Sequence, residues 1–164
     1  RSGRLGVLLS TPTTRTRMLA TAAAAQATLI ALVAGLTGLG IWGGARLGSL
    51  GLATENIAGA TAHLLALGLF IGAAALLAVA ALGTSAAATW TATGVGLVGY
   101  VINTTLPMNP DLADWARISP FHWYGATNPL ENGADWGNVA ILLVGSAVLL
   151  AASFPLFTKR DLRV

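Results

Sequence analysis

Apolar residues follow one another along the chain in three long stretches that contain no Asp, Glu, Lys or Arg. The stretches cover residues 18–45, 56–110 and 136–158 and hold 28, 55 and 23 residues. A helix needs roughly 20 apolar residues to cross a bilayer core, so the outer stretches fit one crossing each and the middle one fits two. Gly83-Thr84-Ser85 is a short polar interruption and predicts the turn between those two. The pattern therefore predicts four spans, near residues 18–42, 58–82, 86–106 and 137–157.

The spans are predicted to be helices rather than strands of a barrel, because the stretches are continuous, rich in Ala and Leu, and show no strict alternation. Composition agrees with a membrane protein: 55% of residues are hydrophobic and 9% are charged, against about 25% charged in soluble domains. There is no cysteine, which excludes disulfide and thiol chemistry. The predicted fold class is an all-α, polytopic transmembrane helix bundle.

Basic residues indicate the orientation of the bundle. Seven of the nine lie before the first span or after the last one: Arg1, Arg4, Arg15, Arg17, Lys159, Arg160 and Arg163. Arg46 and Arg117 are the two that fall in the loops on the other side. Basic residues concentrate on the cytoplasmic side of membrane proteins, so we expect both ends of the chain to be cytoplasmic.

Residues 107–136, before the last span, combine acidic residues, prolines and aromatic rings. Asp111–Arg117 is predicted to form a short helix after Pro110, and Pro120 to end it. Tryptophan and tyrosine favour the interface between lipid and water. The segment is therefore predicted to be an external, interfacial helical cap. Its candidate anchors are Trp115, Pro120, Phe121, His122, Trp123, Tyr124 and Trp136.

Few side chains in the spans could carry chemistry. His63 could be a proton site, but its position near the outer end of its span favours a hydrogen-bonded or interfacial histidine. The two histidines of the chain, His63 and His122, have no metal-ligand spacing, and we expect no metal and no cofactor. Nucleophilic roles are conceivable for Ser85, Ser146 and Ser153. No G-x-S-x-G motif is present, so packing serines are favoured.

Two glycine pairs have the spacing of the small-residue motif that allows helices to pack closely. These pairs are Gly40 with Gly44 and Gly68 with Gly72. In membranes such pairs let two backbones approach each other. We expect packing within the bundle rather than a dimer contact. Pro155 predicts a kink in the last span.

The segment before the first span, residues 1–17, is basic and contains no acid. Leu5, Leu8 and Leu9 fall on one face of a helix, and Pro12 would end it. Thr14 or Thr16 is a candidate N-cap for the span that follows. The simplest interpretation is an amphipathic helix that lies on the membrane surface.

Three segments resemble ABC-2-type transporter permeases of the actinobacterial kind. Residues 3–12 (GRLGVLLSTP), followed by Arg15 and Arg17, resemble the cytoplasmic loop that precedes a span in this family. Residues 118–124 (ISPFHWY) and 128–136 resemble the segment before the family's last span. Residues 157–162 (FTKRDL) resemble its C-terminal ending. The resemblance covers essentially the whole chain, in this order around the hydrophobic spans.

The resemblance implies a role for each part of the chain. Family members usually have six spans, so these four correspond to the third to sixth, and the chain is expected to be a C-terminal portion. Residues 1–17 would contain the coupling helix that docks on a separate ATPase. Residues 18–157 would be the transmembrane domain and 158–164 a cytoplasmic tail. The coupling residues would be Arg4, Leu5, Leu8, Leu9, Pro12, Arg15 and Arg17.

The partners implied are two copies of an ABC ATPase subunit, a second or homologous permease, and membrane lipid, without nucleic acid. The expected function is export of an amphiphilic or hydrophobic solute (a drug, lipid or glycolipid) across the plasma membrane. Because the chain has no GxxxxGK[ST] motif, ATP hydrolysis is expected on the partner and not on this chain.

Two alternatives remain open at this point. The first is a piece of a carrier or channel not driven by ATP, and the second is an intramembrane enzyme. Ion-driven carriers usually keep carboxylates within the bundle. Residues 56–110 hold no such group, and His63 is their one ionisable side chain apart from Tyr100. The pattern therefore favours an energy source outside the membrane.

Overall fold

The computed structural model describes residues 14–159, which form helices and turns and no strand. In chain order these are α1 (Arg15–Leu47), α2 (Thr54–Leu82), α3 (Ser85–Thr105), 3-10 turns at Leu106–Met108 and Ala113–Ile118, α4 (Pro120–Gly125), α5 (Pro129–Asn132) and α6 (Trp136–Lys159). Four helices, α1, α2, α3 and α6, are long and apolar enough to cross a membrane. The predicted all-helical bundle with four spans is confirmed.

Helix α2 is the centre of the bundle. It packs against α1, α3 and α6 along their lengths and against α4 and α5 at one end. Ala66 and Leu67 of α2 form a buried cluster with Val139 and Leu142 of α6. The other long helices leave large apolar side chains exposed, among them Leu36, Trp90 and Val144, as expected for surfaces that face lipid.

Glycines set the distance between α1 and α2. A Cβ atom on Gly38 would overlap the Thr61 hydroxyl oxygen, and one on Gly68 would lie 2.6 Å from a methyl carbon of Ile30. A larger residue at either position would require these side chains to shift or the helices to move apart. Close approach of the backbones replaces the hydrophobic driving force that helices lack in lipid.

The turn between α2 and α3 lies where the sequence predicts it. Gly83 ends α2 with φ of 72°, a conformation that glycine adopts at little cost. Thr84 then caps α3, because its hydroxyl accepts a hydrogen bond from the backbone N–H of Ala87 at 3.3 Å. Two apolar helices can therefore follow each other with only two residues between them.

The first and last helices meet at one end of the bundle. The guanidinium Nη1 of Arg15 donates to the carbonyl of Thr158 at 3.4 Å. We call this the basic end, defined by Arg15, Arg17 and Lys159. The opposite end carries the α1–α2 loop and the residues between α3 and α6, and we call residues 106–135 the cap and this end the cap end.

Two details differ from the expectations drawn from sequence. Helix α1 extends beyond residues 18–42 at both ends, since a helix can continue past the hydrocarbon core into the headgroup region. Ala113–Ile118 is a 3-10 helix that starts later than the short helix predicted at Asp111. Thr14 is the N-cap residue of α1, but it makes no side-chain capping bond.

Candidate functional site

The cap is fastened to α2 by a fully buried histidine. His63 is 0% exposed, its Nδ1 lies 3.2 Å from the carbonyl oxygen of Trp123, and its Nε2 accepts from the N–H of Asp135 at 3.2 Å. A carbonyl can only accept and an amide N–H can only donate, so Nδ1 carries the proton and Nε2 is bare. The ring is therefore neutral, and one tautomer fits both partners.

Two more residues on the same face of α2 hold the cap. The amide nitrogen of Asn56 donates to the carbonyls of Leu130, at 3.2 Å, and Glu131, at 2.9 Å. Gly59 lies against the cap backbone, because a Cβ atom there would be 2.8 Å from the nitrogen of Ala134. Asn56, Gly59 and His63 are spaced by three and four residues and share a helix face. We call these three residues the cap clasp.

The clasp satisfies backbone groups that would be costly to leave without partners. His63 lies seven residues beyond Asn56, which is about 10 Å along the axis of α2. The cap backbone at Trp123 and Asp135 reaches that depth. Irregular backbone at membrane depth is tolerated only where protein or trapped water pairs its polar groups. The clasp provides that pairing for the cap backbone at Trp123 and Asp135.

A second attachment joins the cap to α3. The hydroxyl of Ser119 donates to the carbonyl of Gly99 at 2.7 Å and accepts from the N–H of Phe121 at 3.1 Å. Ser119 is thus the N-cap of α4 and a bridge to the neighbouring span. Gly99 allows this contact, since a Cβ atom there would lie 3.2 Å from the Phe121 ring. The cap is therefore bonded to α3 as well as to α2.

Replacement of Ser119 by alanine should destabilise the protein by about 1–2 kcal/mol, because the N-cap and the bridge to Gly99 are both lost. Thermal unfolding of the detergent-solubilised protein would measure this loss. Ser85→Ala is the matched control, since Ser85 is exposed and makes no side-chain hydrogen bond within residues 14–159. Equal midpoints for the two variants would contradict the role given to Ser119.

The aromatic residues of the cap divide into two groups. Phe121, Trp123 and Tyr124 pack against the buried cluster of α2 and α6. Trp115 and Trp136 are 60% and 67% exposed and point away from the bundle. The predicted anchors thus include side chains that seat the cap and side chains free to meet the interface.

The two remaining predicted anchors lie beside the first group. His122 is half-buried, and its ring meets that of Trp123 edge to face with centroids 5.2 Å apart. Pro120 occupies the first turn of α4, where its missing N–H is not needed. Both residues therefore serve the local shape of the cap.

Helix α3 carries polar side chains along an exposed face. Ser85, Thr89, Thr93, Tyr100 and Asn103 follow one another at spacings that keep them on one side, with Gly96 between them. The hydroxyls of Thr89 and Thr93 are exposed and bond to no residue within the described chain. By contrast, Thr104 bonds back to the Tyr100 carbonyl. The hydroxyls of Thr89 and Thr93 can turn back to their own helix, as that of Thr104 does, or bond a polar neighbour.

The predicted packing glycines differ in their surroundings. Gly68 contacts Ile30 and Gly72 contacts the amide of Gln26, so both lie between α1 and α2. A Cβ atom on Gly40 or Gly44 would have no described atom within 4 Å, apart from those of its own helix backbone and chain neighbours. A packing role for Gly40 and Gly44 would need a partner beyond the described residues.

The predicted coupling segment lies mostly outside the described part of the chain, which begins at residue 14. Arg4, Leu5, Leu8, Leu9 and Pro12 fall in that undescribed part. Arg15 and Arg17 form the first turn of α1 at the basic end. The described part of the segment is therefore the start of a helix of 33 residues.

The serines of α6 are bonded within their own helix. Ser146 donates to the Leu142 carbonyl at 2.7 Å, and Ser153 donates to the Leu149 carbonyl at 2.9 Å. Their hydroxyl hydrogens are thus engaged, which fits packing rather than nucleophilic attack. Among residues 14–159 no group of three or more His, Cys, Asp or Glu side chains could hold a metal ion.

Sequence reasoning missed Asn56, Gly59 and Ser119. A signal existed for the first two, because polar Asn56, small Gly59 and His63 repeat at helical spacing on one face. Ser119-Pro120 also has the sequence of a helix N-terminus, with a capping serine and proline in the first position. What these residues contact depends on segments more than 70 positions away for Asn56 and Gly59, and 20 away for Ser119.

Comparison with known proteins gives a family for these features. A family model described as multidrug efflux system permease Rv1217c, C-terminal domain, matches residues 1–158. No curated protein and no solved structure matches the chain. The matched residues include the segment before α1, the four spans and the cap.

Proposed function

The chain belongs to the family of C-terminal domains of multidrug efflux system permeases, and we propose that it forms the membrane-spanning part of an ABC-2-type exporter. The solute is amphiphilic or hydrophobic, and a separate ATPase supplies the energy. The observation that carries this proposal is the family match, which extends over residues 1–158. The protein lies in the plasma membrane, and this chain is a transport subunit rather than an enzyme.

The lack of charged side chains in the three apolar stretches supports an external energy source. No Asp, Glu, Lys or Arg lies between residues 17 and 46, 55 and 111, or 135 and 159. Both ring nitrogens of His63 are occupied by backbone partners. A carrier driven by an ion gradient needs an ionisable group that is free to change state. Within these three stretches no carboxylate, amine or guanidinium offers such a group.

The basic end is the cytoplasmic end in this proposal. Arg15, Arg17 and Lys159 lie there, and the cap end has Arg46 and Arg117 among several acids. The positive-inside rule then assigns the cap to the external side. The ATPase would approach the basic end, where the predicted coupling segment enters α1.

Helix α1 offers a direct route for movement from the ATPase to the bundle. It is unbroken from Arg15 to Leu47, so a force on its first turn would displace the whole helix. It contacts α2 closely at Gly38, Gly68 and Gly72. Helix α2 in turn holds the cap through the clasp. Motion at the coupling segment would thus reach the external cap through two packed helices.

The polar face of α3 supports a shared translocation path. Thr89 and Thr93 are exposed on this face at membrane depth, and their hydroxyls can bond a polar solute or neighbour. A second permease, either a copy of this chain or a homologue, would turn this face into one wall of a polar path. Each permease would bind one ATPase, which gives two ATPase copies per transporter.

Charged residues in the coupling segment should uncouple the permease from its ATPase. Leu5→Asp combined with Leu8→Asp places charge on the apolar face that would enter a groove of the ATPase. We expect co-purification of a Walker-motif ATPase with the full-length permease to fall by roughly tenfold or more. Affinity purification from membranes followed by mass spectrometry would measure it.

The matched control is Leu47→Asp combined with Leu50→Asp. These leucines have the same spacing, are 91% and 65% exposed, and lie at the cap end. This pair should leave the ATPase bound. Loss of the ATPase in both variants, or in neither, would count against residues 1–17 as the docking segment, and absence of any ATPase from the wild-type preparation would end the proposal.

A further inference from the structure

A groove between α1, α2 and α6 has a polar side chain at the depth of the bilayer centre. It encloses about 200 Å³, and most of its lining is apolar, for example Ile30, Leu69 and Leu150. Gln26, half-buried, also lines it. Gln26 follows Arg17 by nine residues, about 13 Å along α1. If Arg17 lies among the headgroups, this places Gln26 near the middle of a hydrocarbon core about 30 Å thick.

The amide of Gln26 makes no hydrogen bond within residues 14–159. Gly72 of α2 lies beside it, since a Cβ atom on Gly72 would be 2.8 Å from the amide nitrogen of Gln26. The absence of a side chain at Gly72 leaves room for the amide between α1 and α2. An amide in hydrocarbon is strongly disfavoured unless something bonds to it.

The lining limits the chemistry of what can bind there. None of the residues that line the groove is titratable, so an ionic ligand would find no counter-charge. The hydroxyl hydrogen of Ser146 is engaged with the Leu142 carbonyl at 2.7 Å. Gln26 is therefore the principal polar group on offer, with two N–H donors and one carbonyl acceptor.

We propose that this groove is a binding site for a neutral lipophilic molecule that enters from the membrane and hydrogen-bonds to Gln26. The proposal rests on the exporter function and names a site and a ligand class for it. A dry cavity of about 150 Å³ accommodates benzene, so the groove has room for one ring or a group of similar size. The rest of a larger molecule would extend along the open side of the groove.

Two other occupants fit the groove less well. An acyl chain of a lipid would fill the apolar walls but would leave the amide of Gln26 unpaired. A helix, from the rest of the permease or from another chain, is about 10 Å wide and would lie along the open side of the groove. It would reach the amide of Gln26 with one side chain.

Photolabelling of the full-length permease with its ATPase, in nanodiscs, would test the site. The probe is a phenol that carries a trifluoromethyl diazirine, and its partner probe is the same diazirine on toluene, which cannot hydrogen-bond. We expect the phenol to label peptides of α1 around Gln26 and of α6 around Ser146. Gln26→Leu should reduce this labelling about fivefold, the value of one hydrogen bond, and the toluene probe should not respond.

Thr28→Val is the control variant, since Thr28 bonds to the Ala24 carbonyl and does not line the groove. It should label as the wild type does. The thermal midpoint provides a second measurement. Because Gln26 has no hydrogen-bond partner among residues 14–159, Gln26→Leu should not lower the midpoint, whereas loss of a bond between helices would lower it.

The remaining outcomes contradict either the site or the exporter proposal. Equal labelling by both probes, unchanged in Gln26→Leu, would show that the groove holds any lipid tail. No labelling of the groove together with a lowered midpoint in Gln26→Leu would show a helix contact instead. Groove labelling without a co-purifying ATPase would leave the site standing and remove the exporter proposal. An ATPase-bound permease whose groove is not labelled would remove the site and leave the exporter proposal standing.

Discussion

Replacement of His63 by alanine is expected to release the cap from α2 and to lower the free energy of unfolding by about 2–4 kcal/mol. The variant leaves the carbonyl of Trp123 and the N–H of Asp135, both partly buried, without the partner that His63 provides. Each buried group left unsatisfied costs about 1–3 kcal/mol. Thermal unfolding gives the stability, and amide hydrogen exchange at Asp135 reports the bond itself.

Two further variants separate the two bonds of His63. Asparagine has a donor near the position of Nδ1 and can retain the bond to Trp123. Glutamine has an acceptor near the position of Nε2 and can retain the bond from Asp135. Each should recover part of the stability lost in His63→Ala, and glutamine alone should restore slow exchange at Asp135.

His122→Ala is the control for His63→Ala. It removes a cap histidine that makes no side-chain hydrogen bond among the described residues, and its ring contact with Trp123 accounts for about 1 kcal/mol. If His63→Ala were no more destabilising than this control, or if exchange at Asp135 stayed slow, the clasp would not be what holds the cap.

Gly59→Ala is expected to be destabilising by about 1–3 kcal/mol, the usual cost of overpacking. The added methyl group would lie 2.8 Å from the backbone nitrogen of Ala134, and backbone cannot rotate away as a side chain can. The cap must then lift from α2, which also lengthens the bonds of Asn56 and His63. Thermal unfolding and exchange across residues 130–135 would detect this.

Gly40→Ala should instead stabilise the protein. Gly40 lies inside α1 with nothing within 4 Å of a built Cβ, and alanine favours a helix over glycine by about 1 kcal/mol. The two variants make the same chemical change in two spans, so the contact with Ala134 is the difference between them. Destabilisation of similar size in both would refute a specific close approach at Gly59.

The spans and their turn follow from local features of the sequence. Long runs without charge leave a chain no stable state in lipid except a helix, which closes its own hydrogen bonds. Gly83 and Thr84 end one helix and begin the next with interactions inside five residues. Such features can be identified without knowing what lies nearby in space.

The arrangement of the cap depends on contacts that no local pattern encodes. Asn56 and His63 find partners 60 to 75 positions away, and their side chains could have bonded elsewhere if the cap had a different path. The aromatic run Phe121–Tyr124 shows the same limit. Its composition predicts a place at the interface, whereas its packing on Leu67 and Leu142 requires the relative position of two spans.

The separation of His63 from Asp135 along the chain, 72 residues, also fixes an order of events during synthesis. His63 enters the membrane with α2, but the Asp135 N–H that its acceptor nitrogen binds lies at the end of the cap and is translated later. Until then the clasp lacks this bond. Closure of the bond therefore follows synthesis of the whole cap.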